Sequence, residues 1–302
     1  MASKFSLQVL FLVLATVAPH VILARDLHGH KSYPRLFPQH LAGSDKGNTI
    51  EGIHDMKIYL QRYGYLTNNN NVEITNDNGF DDVLESAVKK YQKFFKLNVS
   101  GILDAETLDL MSKPRCGVAD FFTKDNEDEQ EHHNLRVNGS HYTLFPNRQR
   151  WPVSKYHLTF GFIHQFPREF IAPVARALKS WDSNTMFSFS PAAHWPAADI
   201  VLSFERRDHG DGAPFDGLGG ILAHASGPNE GRVHFDGDEN WSVGVAADRL
   251  NLEMVALHEL GHVLGLGHST VKEAVMWPYA GLGEGKVVLH PDDIAGIRDL
   301  YK

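Results

Sequence analysis

Residues 258–268 read His-Glu-Leu-Gly-His-Val-Leu-Gly-Leu-Gly-His. His258 and His262 are four apart, so a helix stacks them one turn apart on a single face, with Cβ atoms about 6 Å from each other. Two imidazoles so placed can take adjacent corners of a zinc tetrahedron, at Zn–N distances of about 2.0–2.1 Å. Gly265 falls where the helix should stop, because glycine adopts the left-handed C′ conformation without steric cost. The chain can then double back and bring His268 to a third corner. A fourth corner open to water marks a catalytic rather than a structural zinc. Glu259, beside the first ligand, is positioned to take the proton of that water. The chain carries 18 histidines in 302 residues, so a bare H-E-x-x-H would arise by chance in roughly a few per cent of such chains. The added glycine and third histidine at fixed offsets lower that to on the order of one in ten thousand. A buried helix also rarely carries three histidines and a glutamate unless they are paired or metal-bound.

The helix bearing these residues has to be held by a domain. From Tyr156 onward the pattern is that of an α/β unit: His157 to Phe162 reads as a strand, Glu169 to Trp181 as a helix, and Asp199 to Phe204 as a second strand. Pro173 marks or bends the first turn of that helix. Upstream, apolar residues recur at helical spacing from Ile53 to Leu66 and from Phe80 to Phe95. Phe80, Val83, Leu84, Ala87, Val88, Tyr91, Phe94 and Phe95 are expected to form one face. Asp104 is the expected N-cap of a third short helix through Leu108 and Met111. A small all-α unit therefore precedes the α/β domain.

The first 24 residues have the pattern of a secretory signal: Lys4 at the start, a largely apolar Val9 to Val17, and Leu23-Ala24 before Arg25. A membrane anchor is the alternative, but His20 and the polar chain after Ala24 make the segment short for a span. No later stretch reaches 18 apolar residues, and Tyr301-Lys302 is not a hydrophobic tail, which argues against a GPI anchor. A net charge of −8 with no basic stripe gives no expectation of nucleic acid as a partner. With a single cysteine, stability is expected from packing and metals rather than disulfides. Residues 124–133 form a charged, cleavable linker. Asn98 and Asn138 are glycosylation acceptors, and Asn240 begins a third acceptor triplet close to the expected metal ligands.

The eleven-residue frame, the Val275-Met276-Trp277-Pro278 turn, Ser269 after the third histidine and the lone cysteine together resemble the matrixins, the matrix metalloproteinases of the metzincin clan. The short architecture is most similar to the plant members. The resemblance runs from about residue 90 to residue 302, and implies a catalytic domain with a twisted, mostly parallel sheet and three helices. The helical unit, about 48–112, is similar to peptidoglycan-binding-like domains of matrixin propeptides. The domain expectation is a signal at 1–24, a propeptide at 25–136 and a catalytic domain at 137–302.

The same resemblance implies roles for individual residues. Pro114 to Asp120 resembles the cysteine switch, in which Cys116 occupies the open zinc position. Met276 is the methionine beneath that zinc. His209, Asp211, His224 and His234 match a closed structural zinc site. Asp216, the carbonyls of Gly217 and Gly219, Asp236 and Glu239 supply hard oxygen donors suited to calcium. Ile221 to His224 resembles the edge strand on which an extended peptide pairs, with Ala223 among the substrate contacts. Pro278 and Tyr279 wall the P1′ pocket, and Met254 sets its depth, predicting acceptance of Leu, Ile or Phe. The cofactors implied are two zinc ions and at least one calcium. Two positions depart from the family pattern. Ala119 stands where the switch has proline, and Arg232 stands where a second calcium site has an acid, so no calcium is expected between Arg232 and Asp199.

The functional expectation is a secreted, monomeric zinc endopeptidase, made as a latent zymogen and acting on extracellular matrix or cell-wall proteins. A catalytically silent protein holding cell-wall polysaccharide through the helical unit is the alternative. An interaction protein whose metals merely stabilise the fold is the third. The intact Glu259 and histidine triad count against the second reading, and a casein or gelatin assay with and without chelator separates the first from both others.

Overall fold

The computed structural model describes residues 33–66, 77–122 and 141–302. The expected signal, the charged linker and the Asn138 acceptor lie outside the described residues.

The N-terminal helices follow from their apolar spacing and their caps. α1 (Ile53–Arg62) buries Ile53, Met56, Tyr59 and Leu60, and Tyr63 caps it, so the helix is one turn shorter than the apolar pattern through Leu66. α2 (Asp82–Phe94) begins at Asp81, whose carboxylate accepts from the Leu84 N–H at 2.7 Å. Its buried face is Leu84, Ala87, Val88, Tyr91 and Phe94. Val83, expected on that face, is exposed, because it lies at the margin of the stripe, in the first turn of the helix. α3 (Ala105–Met111) is capped by Asp104 as the sequence predicts, with Thr107 N–H donating at 2.8 Å. The three helices share one aromatic-rich core, and Tyr279 from far along the chain belongs to it.

β1 (Arg115–Cys116) leaves this unit, and β2 (Tyr142–Leu144) begins the next. β3 (His157–Phe162), α4 (Ile171–Asn184), β4 (Ser188–Pro191), β5 (Ile200–Glu205), β6 (Ile221–Ala225) and β7 (Arg232–Asp236) follow. A 3₁₀ turn at Arg168–Phe170 leads into α4, so Pro173 lies in the helix's first turn and the helix continues to Asn184. The main sheet has the order β1-β6-β7-β5-β3-β4, and every pairing is parallel except β6 with β7. The outermost strand on one side is thus supplied by the segment after the helical unit. β8 (Trp241–Ser242) and β9 (Leu250–Asn251) form a short ladder that leads into α5 (Leu252–Val263). β10 (Leu266–Ser269) pairs with β2, and α6 (Pro291–Leu300) closes the chain. The unit thus carries the three helices α4, α5 and α6 with its mostly parallel sheet. No helix among the described residues is long and apolar enough to cross a membrane.

α5 is apolar nearly all round and lies buried between α4 and the sheet. Two indole N–H groups fix it: Trp181 donates to Leu257 O at 2.9 Å and Trp151 to Val263 O at 2.8 Å. The turn at Val275-Met276 is fixed by Asp293 at the start of α6. That carboxylate is fully buried and accepts from Val275 N, Met276 N and His290 N at 3.0, 3.0 and 2.8 Å. Asp293→Ala leaves three buried donors unpaired. It should cost about 2–4 kcal/mol in denaturant unfolding and loosen the turn whose Val275 carbonyl orients His258, while Asp293→Asn should recover part of the loss. A loss below about 1 kcal/mol would mean water replaces the carboxylate.

Candidate active site and metal centres

α5 starts at Asn251, whose side chain accepts from Glu253 N–H, and ends at Leu264, followed by Gly265 at φ +100°. A Cβ at Gly265 would lie 2.6 Å from the Gln149 carbonyl, so glycine is required there on two counts. The chain reverses into β10 and brings His268 back over the helix. Gly261 has a different reason: a Cβ there would stand 2.3 Å from Met276 Sδ. Met276 therefore packs directly against the helix between the two histidine turns.

Each of the three rings is oriented by its Nδ1. His258 donates to Val275 O at 2.7 Å, His262 to Leu266 O at 2.8 Å and His268 to Asp120 Oδ1 at 2.7 Å. The Nε2 atoms are thereby left without protons and turned towards one another, those of His258 and His262 being 3.1 Å apart. Cys116 Sγ lies 3.4 Å from His262 Nε2, and all four candidate ligand atoms fall within 4.8 Å of one another. A tetrahedral ion with bonds of about 2.0–2.3 Å needs ligand separations of about 3.3–3.8 Å. Among the described residues, His268 Nε2 and both Glu259 oxygens are buried without a geometric hydrogen-bond partner, and the Cys116 thiol is the polar group beside Glu259. Converging lone pairs and orphaned acceptors of this kind fit a cation. Burial holds His258 and His262 well below the usual histidine range and keeps them neutral. It also pushes the Glu259 carboxyl up to about 8, suited to proton exchange near neutrality.

The Cys116 segment is held from both sides. Arg115 N–H donates to Gly220 O at 2.7 Å, Gly117 N–H to Ala223 O at 2.8 Å and Cys116 N–H to Pro278 O at 2.9 Å. The segment runs parallel to β6, with Cys116 opposite Ala223. Arg115 is buried with its guanidinium 3.5 Å from the Tyr63 ring centroid and 2.7 Å from Asp120 Oδ1. Asp120 also accepts from Tyr65 O–H at 2.7 Å. Burial would raise its carboxyl, but Arg115 and His268 hold it at about 2. Ala119 carries none of these contacts.

A second cluster joins His209, Asp211, His224 and His234. Their facing atoms (Nε2, Oδ2, Nε2 and Nδ1) are separated by 3.0, 3.4, 3.1, 2.9, 3.1 and 3.1 Å, the six edges of a near-regular tetrahedron. Its centre lies about 1.9 Å from each corner, close to a zinc–ligand bond length. All four corners come from the single stretch 209–234, whereas one corner of the first cluster is a cysteine on a segment remote in the chain. Burial lowers His224 to about 4, which keeps it neutral.

Beside this cluster the acids are crowded. Burial raises Asp236 to about 6 and Glu239 to about 7, where Asp236 and Asp216 add repulsion. Gly219 N–H and Tyr33 O–H donate to the two Glu239 oxygens at 2.5 and 2.7 Å, and Gly217 N–H donates to Asp236 Oδ2 at 3.3 Å. At the other expected calcium position, Asp199 is engaged by Lys155 Nζ at 2.5 Å and by the N–H and hydroxyl of Thr159 at 2.8 Å, while Arg232 is exposed. The spacing between Lys155 and Asp199 gave no local signal of that pair.

Met254 and Pro278 line a small pocket with Cys116, His258 and Glu259. Tyr279 borders it too, but its hydroxyl is turned into the helical unit, 3.0 Å from that of Tyr59 and 2.6 Å from that of Tyr91. Asn98 and Asn240 are exposed.

A metal-ready histidine triad with an adjacent buried glutamate, on a helix against a mostly parallel sheet, defines a metalloendopeptidase. Residues 150–302 match the matrixin family, and residues 49–111 match the putative peptidoglycan binding domain. The chain is 43% identical to Metalloendoproteinase 5-MMP of Arabidopsis thaliana over 272 residues, 86% of this chain and 74% of that one. It is 39% identical to Metalloendoproteinase 1 of Glycine max, over 84% of this chain and 83% of that one. Matrilysin of Homo sapiens is 37% identical, over 80% and 83% respectively. The chain belongs to the matrixin family, and its likeness to the plant metalloendoproteinases extends over most of its length.

The raised Glu239 carboxyl has a consequence for pH. An acid with a raised folded-state value favours the fold while protonated and loses that advantage as pH rises through about 7. In calcium-free protein, Glu239→Gln should match wild type at pH 5 and exceed it at pH 8 by about 1–2 kcal/mol, allowing for partial solvent screening. Calcium should reverse the order. Denaturant unfolding at the two pH values reads both, and a variant less stable at pH 8 without calcium would refute the crowding argument.

Proposed function

We propose that the chain is a secreted, latent zinc endopeptidase that cleaves extended extracellular proteins before apolar residues. The observation that supports it most is the inward-facing set of bare Nε2 atoms beside the buried Glu259 carboxyl. In this reading, His258, His262 and His268 would hold zinc, which would supply Lewis-acid polarisation of the scissile carbonyl and a more acidic water near neutral pH. Glu259 takes the proton of the attacking water and returns it to the leaving amine. The three Nδ1 hydrogen bonds keep the rings in the one tautomer that can bind metal. β6 holds the substrate backbone by strand addition, and Met254 and Pro278 receive its P1′ side chain.

In this reading latency rests on Cys116, whose sulfur would be the fourth ligand, as a thiolate, once the metal is bound. The Arg115–Asp120 pair holds the segment in place without help from proline at position 119. His209, Asp211, His224 and His234 hold a second, structural zinc, and Asp216, Gly217, Gly219, Asp236 and Glu239 hold calcium. Lys155 already neutralises Asp199, which supports a single calcium in this region. The helical unit serves as a scaffold for the Cys116 segment, with weak cell-wall polysaccharide contact as its second reading, supported by its match to a putative peptidoglycan binding domain.

Two variants test the reading on a casein or quenched peptide substrate. After mercurial activation, Glu259→Gln should retain both zinc ions by elemental analysis and lose about 10²–10⁴ in turnover. Residual turnover near wild type would mean another group is the base. Cys116→Ser should make the full-length chain active without mercurial. If full-length wild type already cleaves as fast as that variant, the latency reading is wrong.

A further inference from the structure

Two cavities meet behind the candidate active site. The small one reaches from Cys116, His258 and Glu259 past Met254. The large one is a groove between the helical unit and the C-terminal unit, lined on the helical side by Lys96 and Glu106 among others. Trp277, Tyr279, Ala280 and Lys286 line both, so these four residues are the partition between them. Trp277 stacks edge-on against Phe95, and the Tyr279 hydroxyl is engaged by Tyr59 and Tyr91. Ala280 has no reach. Lys286 is the one member with a long unbranched side chain, and its ammonium donates to Lys272 O at 2.7 Å. Lys272 lines the groove and not the pocket. The charged head is therefore anchored on the groove side, and the stem lies across the boundary.

We propose that the stem of Lys286 is the floor of the P1′ pocket, so that this residue, more than Met254, limits how long a P1′ side chain fits. This rests on the endopeptidase reading above. Met254 lines the pocket but not the groove, so shortening it widens the pocket within a closed volume. Shortening Lys286 removes the wall itself. Once the helical unit has left, the groove is open to solvent, and an extended P1′ group could pass through the gap.

The full-length chain, activated by mercurial, is assayed on two quenched peptides that differ only at P1′, one with leucine and one with 4-phenylphenylalanine. Wild type should prefer leucine by at least about tenfold in kcat/KM. Lys286→Ala should shift the ratio towards the biphenyl substrate by about tenfold or more, while Lys286→Met, which keeps the stem and drops the charge, should stay within about twofold of wild type. Wild type that accepts both peptides equally overturns the floor without recourse to any variant. An unmoved ratio in Lys286→Ala overturns it as well, and a Lys286→Met ratio equal to that of Lys286→Ala assigns the effect to the anchored charge and refutes the stem. Cleavage of neither peptide by activated wild type would instead sink the endopeptidase reading.

Discussion

The carboxylate of Asp120 is the contact on which the rest depends. Wholly buried, it accepts from Arg115, Tyr65 and His268. A buried anion is tolerable only if its lone pairs are satisfied by charged or polar donors, and here the donors come from three parts of the molecule. Tyr65 belongs to the helical unit, Arg115 precedes the cysteine, and His268 is the third ring of the triad. Placing the sulfur in register with the imidazoles is therefore the same event as completing this hydrogen-bond set. It also explains why Ala119 does no visible harm: the segment is located by side chains on either side of that position, not by the stiffness of its backbone.

The two histidine clusters show how similar atoms serve different ends. At His209, Asp211, His224 and His234 every corner comes from the stretch 209–234, two from a loop and two from neighbouring strands, so the tetrahedron is completed within one fold unit. At the triad, the fourth corner is on β1, which joins the sheet only as its edge. The same short strand is bonded on its other side at Pro278 and Tyr279, so the fourth corner comes from a segment remote in the chain from the triad.

Much of this was legible in the chain because it is local. Four-residue spacing places His258 and His262 on one face, Gly265 ends their helix, and Asp104 announces a helix start. These are properties of a few consecutive residues. Val83 shows the limit of the same logic, since a residue beside an apolar stripe was read as part of it. What escaped notice is non-local. Asp120 and His268 are 148 positions apart, Lys155 and Asp199 are 44 apart, and Tyr279 meets Tyr91 across 188. No periodicity links such pairs. Asp293 alone left a trace, as an acid at the third position of a helix opened by Pro291, but that pattern signals a cap and not the three N–H groups it also holds.

Tyr279 carries a consequence for how inhibition would end. Its hydroxyl joins those of Tyr59 and Tyr91, and its ring packs with Phe95 inside the core of the helical unit. None of these contacts depends on the chain being continuous between residues 122 and 141. On the latency reading, cutting the backbone there would leave these contacts in place, so the immediate product would be a complex of two chains. Its activity would emerge at the rate at which they separate, and dilution would set how completely they stay apart.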